Sequence, residues 1–384
     1  MRRVFTVGTW ALVLILGAVQ PWFIWPHLAP EISRRLTFLF TCVGLGVMTV
    51  GGLNRPVRAL PAMWWWVLVG VLGVSVWHGW PVLSHGAYVE YYLEWQFLSN
   101  GLLLVLAGVW GLWALGQWPV IWLRRLRWIG LGMLLLNMVF AVAQKHGLVW
   151  HLGSWHPADI YPEAIMRYGS NPVKPSGVMG LDRVLGAYAV AWLPILCAWR
   201  WWLGAIPLLL VACAMKTSIW LGATVALVGM SRGRWKLVVG GMGVVMALVY
   251  SDGEIAKKLL QRWETWGPIL SAVKDHPWVG HSFSFLAYSC AQVLYGARLP
   301  SLHSDWLALL FHAGGVVTGL VAFAWRQAVR AVPQTRWASA LQVSFASIGV
   351  MALGQSVVSE PGLTGLLVLL LAWWWSEQRT ECDA

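Results

Sequence analysis

Arg262 and His303 are the two side chains of this sequence best suited to chemistry, and both lie in one polar stretch, 251–303, between apolar runs. An imidazole at the mouth of an apolar run, with an ordinary pKa of about 6.5, can take up a proton near neutral pH. Ser304 and Asp305 follow it. Positions two apart point away from each other on a helix, so Asp305 is not expected to pair with His303. A plainer role is open too: an interfacial histidine at a helix start that Ser304 or Asp305 caps. Arg262 offers paired donors for a phosphate, or else it snorkels to lipid headgroups.

Three more cations belong with these two. Lys216 interrupts the apolar passage LLLVACAMKTSIWLGATVAL with no acid nearby in sequence. An ionisable group between two spans marks a functional position, although a reversal loop with a snorkelling lysine is the simpler account. Arg298 lies late in the polar stretch, and Arg183 follows Gly177 and Gly180 in NPVKPSGVMGLDRVLGAY. Arg183 could meet an anion or pair with Asp182 or the headgroups. His276 and His281 flank Gly280 in DHPWVGHSF and, with Asp305, are candidates for a supporting role. No HxH or HxxxH pair with a well-spaced acid occurs, so no metal site and no cofactor are expected.

These residues must be positioned by membrane helices. The 384 residues are 59% hydrophobic and 11% charged, against roughly 25% charged in soluble domains. Runs long enough to cross about 30 Å of hydrocarbon recur throughout, without the alternation of a β-barrel. The expected fold is an all-α polytopic membrane protein, 1–384 forming one integral domain of about twelve transmembrane helices. The approximate spans are 4–26, 36–53, 60–77, 97–117, 128–145, 184–199, 201–215, 217–230, 236–250, 304–325, 337–354 and 361–375. A long external loop, 251–303, separates spans nine and ten, and a second, 146–183, separates spans five and six.

The net charge of +12 is not a nucleic-acid signal, because the basic residues sit mainly in loops, where they set topology. Arg55, Arg58, Arg124, Arg125, Arg127, Arg200, Arg232, Arg234, Lys236, Arg326, Arg330 and Arg336 fall on one side, with the acids Glu377, Glu381 and Asp383. The other twelve acids fall opposite. Positive-inside counting then places both termini in the cytoplasm. The external loops nevertheless keep cations, which implies an anionic ligand outside. Thirty-one tryptophans, many near span ends such as Trp199, Trp201, Trp202 and Trp373 to Trp375, predict an interfacial belt.

Within the long loop, Ile255, Leu259, Trp266, Leu270 and Val273 recur at helical spacing. They predict an amphipathic helix on the membrane surface, ended near Pro277, with Arg262 at the edge between its faces.

Taken in order, three segments resemble the O-antigen ligase and polymerase superfamily of bacterial envelope glycosyltransferases. RWETWGPILSAVKDHPWVG is similar to that family's arginine–tryptophan helix and D-H-P-x-x-G element. LHSDWLALLFHAGGVVTGL resembles its histidine motif at a span start, and GVMGLDRVLGAYAVAWLP its glycine-rich lead-in to a mid-chain span. The resemblance implies a polyprenyl-diphosphate-linked glycan donor, a glycolipid, glycan or protein acceptor, and an active face outside the bacterial inner membrane. It assigns the family histidine to His303 and the loop arginine to Arg262. Where the family carries a second arginine, this chain reads Lys216-Thr217-Ser218-Ile219. A point ammonium lacks bidentate phosphate geometry.

The implied reaction is metal-independent and inverting. Arg262 and Lys216, helped by Arg298 or Arg183, neutralise the leaving diphosphate, and His303 deprotonates the attacking hydroxyl. A multi-span transporter and a non-catalytic envelope assembly protein are the competing classes. A transporter would place charges and broken helices near mid-membrane.

Overall fold

The computed structural model describes residues 65–67, 69–70, 73–74, 120–145, 182–214, 216–249, 255–281, 304–355 and 361–378. The expectations for the first, second and fourth spans, for most of the third and most of the 146–183 loop, and for His303 and Arg298 lie outside the described residues.

Among the described residues the chain is all helical. The helices are α1 (Val120–Arg124), α2 (Leu126–Lys145), α3 (Asp182–Trp199), α4 (Ala205–Ala214), α5 (Thr217–Met230), α6 (Trp235–Val249), α7 (Ile255–Asp275), α8 (Asp305–Arg330), α9 (Arg336–Gly354) and α10 (Pro361–Glu377), with a 3-10 turn at Trp201–Gly204. Three of them, α2, α8 and α9, are long and apolar enough to cross a membrane, and α3, α4, α5, α6 and α10 are shorter apolar helices. This is the composition of an all-α membrane protein.

The core is built from α3, α5, α9 and α10. Leu185, Val190, Leu193 and Ile195 of α3 are fully buried, as are Phe345 and Ile348 of α9 and Leu366 and Leu370 of α10. Packing between apolar helices in lipid depends on close approach and polar ties more than on water exclusion. Both occur here. A Cβ on Gly229 of α5 would stand 2.7 Å from Val343 of α9, so only glycine admits that neighbour. The Ser344 hydroxyl of α9 donates to the Ala191 carbonyl of α3 at 2.8 Å.

One end of this core is closed by a buried carboxylate. Glu377, the last residue of α10, is fully buried. Arg124 donates to it from Nε at 2.7 Å and from Nη2 at 2.8 Å. The Thr335 hydroxyl donates at 2.8 Å and Trp373 Nε1 at 2.9 Å. Thr335 also caps α9, its oxygen accepting from Ala338 N–H at 3.1 Å. The two-pronged bond raises the Arg124 pKa above its ordinary value.

Two expectations are corrected by this packing. Trp373 and Trp375 are buried in the core rather than part of an interfacial belt, because the carboxylate one turn on gives the Trp373 indole a partner inside. The tenth predicted span, 304–325, is not one straight crossing. At Gly314, φ is +73° and α8 breaks. The rings of Trp306 and Trp325 lie 6.3 Å apart, centre to centre, whereas an unbroken helix would separate these positions by about 28 Å. The two arms of α8 therefore fold back toward one place on α9. Trp306 Nε1 donates to the Gly349 carbonyl at 3.2 Å, and a Cβ on Gly349 would lie 2.7 Å from Trp325 Nε1.

Candidate functional site

The polar helix α7 ends at Asp275, and the chain then turns through 276–281 into the bend of α8. Pro277 stops the helix. The turn next supplies what the broken α8 lacks: Gly315 N–H donates to the Pro277 carbonyl at 2.7 Å, and Val316 N–H to the Trp278 carbonyl at 3.4 Å. In return His281 N–H donates to the Phe311 carbonyl at 2.8 Å. The freed N–H groups of Gly315 and Val316 thus find carbonyl partners, as buried backbone requires. The fit is close on both sides. A Cβ on Gly280 (φ +71°) would meet the His312 carbonyl oxygen at 2.6 Å, and one on Gly314 would meet Val279 N at 2.5 Å.

Side chains complete the seam. Ile269 and Ala272 of α7 and Phe311 of α8 are fully buried against one another. His281 stacks on Phe311, centroids 4.8 Å apart, and its Nε2–H donates to the Ala272 carbonyl at 2.7 Å. His276 meets the His281 ring edge-on at 4.9 Å. Ala272 lies about 15 Å along α7 from Arg262. The structure thus sets His276 and His281 in the joint between α7 and α8 and does not bring them to Arg262.

Arg262 is elsewhere than the spacing predicts. It lies not at the edge of α7 but on its inward stripe, in helical register with Trp266, Ile269 and Val273, which are buried or half-buried. Leu270, Leu260 and Trp263 are exposed. The stripe that turns inward runs through Arg262, Trp266, Ile269 and Val273, which leaves Leu260, Trp263 and Leu270 outside. Burial pulls the Arg262 pKa below the ordinary guanidinium value, although arginine stays a cation. Among the described residues no carboxylate pairs with it.

The guanidinium reaches a junction of helix ends. A Cβ on Gly354, the last residue of α9, would lie 2.9 Å from Arg262 Nη1 and 3.7 Å from Ser218 Cβ. Ser218 is in the first turn of α5, just after Lys216, the N-cap of that helix. Only Met215 and Lys216 separate α4 from α5, so the lysine is the apex of a tight reversal and is half-buried. Its carbonyl accepts from Ile219 N–H and Trp220 N–H, both at 3.1 Å. Gly186, one turn beyond Arg183 in α3, packs on Ala214 and Ile219, which bracket Lys216. Half-buried Arg183 therefore stands at the same end.

The start of α8 arrives at this junction as well. Ser304 is its N-cap: the hydroxyl oxygen accepts from Leu307 N–H at 3.2 Å, and the hydroxyl donates to the Ala352 carbonyl at 3.4 Å, two residues from Gly354. Of the two capping residues considered, Ser304 is the one used. Its chain neighbour His303 is outside the described residues. Asp305 begins the helix.

Arg183 and Lys216 lie on helix ends that meet here, and the Arg262 guanidinium reaches the same junction near the N-cap of α8. Such a place suits an anion. The hollow of about 630 Å³ found among the described residues is not here but at the far end of α9, where Arg336 lines it. Among the described residues no group of histidine, cysteine and carboxylate side chains could hold a metal. No protein-family model matches the chain, and no curated protein matches it.

Proposed function

We propose that this protein is a membrane glycosyltransferase that moves a glycan from a polyprenyl-diphosphate carrier to an acceptor hydroxyl at the outer face of a bacterial inner membrane. The observation that carries the reading is the inward turn of Arg262, whose guanidinium reaches the junction of the α5, α8 and α9 ends. A half-buried cation without a carboxylate partner among the described residues is well placed for an anion to visit. The position of Ser304 at Ala352 supports His303 as its neighbour in the reaction.

In this mechanism the acceptor oxygen attacks the anomeric carbon as the bond from that carbon to the phosphate oxygen breaks. The hydroxyl proton passes to His303, and the electron pair leaves with the lipid diphosphate. Arg262 and Lys216, with Arg183 and Arg298 in reserve, bear the charge that develops on it. Displacement from the opposite face inverts the anomeric centre. The leaving group is already good, so proton removal and charge neutralisation suffice without a metal.

The break in α8 is the feature that favours a transporter, where interrupted helices bind substrate. Here, though, the freed N–H groups of Gly315 and Val316 are taken up by the backbone at Pro277 and Trp278, which leaves those donors engaged.

The test is release of lipid diphosphate from a polyprenyl-diphosphate glycan by purified protein. Turnover should fall by about 10²–10³ for His303→Ala and for Arg262→Ala, both remaining folded. Full turnover in both variants would reject the reading.

A further inference from the structure

At the opposite end of α9, about 27 Å from Gly354 by helix length, a second group of cations is gathered. Arg127 lies over the Trp199 ring at 4.8 Å and over the Trp337 ring at 5.1 Å, and Arg336 lies over the Trp337 ring at 4.9 Å. Arg200 and Arg336 are exposed. Both line the hollow of about 630 Å³, together with Cys197, Trp199, Trp201 and Trp202.

The charge here is unbalanced. Among the described residues at this end Glu377 is the only acid, and it is bonded to Arg124, Thr335 and Trp373. Arg127 Nε is buried without a hydrogen-bond partner. Three guanidinium groups around two indoles, with no acid to spare among the described residues, make this end a place that attracts an anion.

The surroundings say which kind. The hollow opens at the end of the apolar helices α3 and α4, and its rim carries Trp201 and Trp202, which are 82% and 53% exposed. Indoles left out of a core at a helix end are characteristic of the headgroup layer. A basic hollow between helix ends at that level fits a lipid phosphate better than a dissolved one.

We propose that this hollow binds the phosphate headgroup of an anionic membrane lipid, gripped by Arg200 and Arg336, with Trp201 and Trp202 beside the glycerol and upper acyl chains. Arg127, held between Trp199 and Trp337, supports the field from behind. This site is independent of the junction at Arg262.

Native mass spectrometry of the purified protein titrated with phosphatidylglycerol tests it. In the double variant R200A/R336A the affinity for the first phosphatidylglycerol should fall at least about tenfold. The single variant R200A should fall by less. R232A/R234A, which removes exposed cations from the turn between α5 and α6, should bind like the parent protein, and phosphatidylcholine should bind weakly to all. Equal phosphatidylglycerol affinity in parent and R200A/R336A overturns the proposal. Equal loss in R232A/R234A overturns it too, since it would show a diffuse charge effect. If inorganic phosphate displaces the lipid at equal concentration, the site is for a small soluble anion and the lipid assignment fails.

Discussion

Gly280 and Gly314 face each other across the bend of α8, each with positive φ and each without room for a Cβ. Left-handed backbone costs an L-residue about 1–2 kcal/mol before any clash. Gly314→Ala and Gly280→Ala should each destabilise by about 2 kcal/mol or more. Gly315→Ala, where the nearest atom is the Pro277 oxygen at 3.1 Å, should cost less, and Gly319→Ala, with open space around it, should be close to neutral. Thermal unfolding of the four variants in detergent measures the order.

The folding back of α8 has a direct distance test. With the native cysteines replaced, Trp306→Cys and Trp325→Cys should be joined by a bifunctional reagent spanning about 8–10 Å, because the parent rings are 6.3 Å apart. A continuous helix would hold these positions about 28 Å apart, and the pair would then not cross-link.

Arg262 should not tolerate its usual conservative replacement. Lysine keeps the charge but presents no paired donors. Under the proposed reaction Arg262→Lys loses at least about tenfold in turnover, and Arg262→Ala about 10²–10³-fold. Comparison of kcat and KM places the loss: if only KM rises, the arginine binds donor and transition state alike.

The Arg124–Glu377 pair separates structure from activity. Arg124→Ala strands a fully buried carboxylate and should cost about 3–5 kcal/mol. Glu377→Gln leaves behind an arginine that is one-third exposed, so it should cost less. In the double variant part of the first loss should return. A double-mutant cycle on unfolding free energy checks the coupling.

Much of the architecture was legible because apolar run length is a strong signal. The apolar runs 184–199, 201–215, 217–230, 236–250 and 337–354 fall on α3, the 3-10 turn with α4, α5, α6 and α9 within a few residues, and of these α9 is long enough to cross a membrane. Pro277 marks the end of α7, and Lys216 stands at the turn between α4 and α5. The bend of α8 was not legible. Gly314-Gly315 permits a break, but only the tertiary contact with 277–279 makes one, and no local pattern announces it. The inward position of Arg262 is hidden for a related reason: spacing gives the apolar face of a helix but not which neighbours that helix packs on. The burial of Glu377 had a faint signal in the surplus of arginines at 124, 125 and 127 on a side with few acids.

The length of α9 carries a further consequence. One end of this rod is fixed by Arg336 and the indoles around it, the other by Arg262 and Lys216, and neither set of charges can retreat into hydrocarbon. A membrane crossing by α9 would give the protein a preferred bilayer thickness near 27–30 Å. Reconstituted in lipids of graded acyl length, it should be most stable near that match, and fall off on either side as the helices tilt or the membrane deforms to reach the two charged collars.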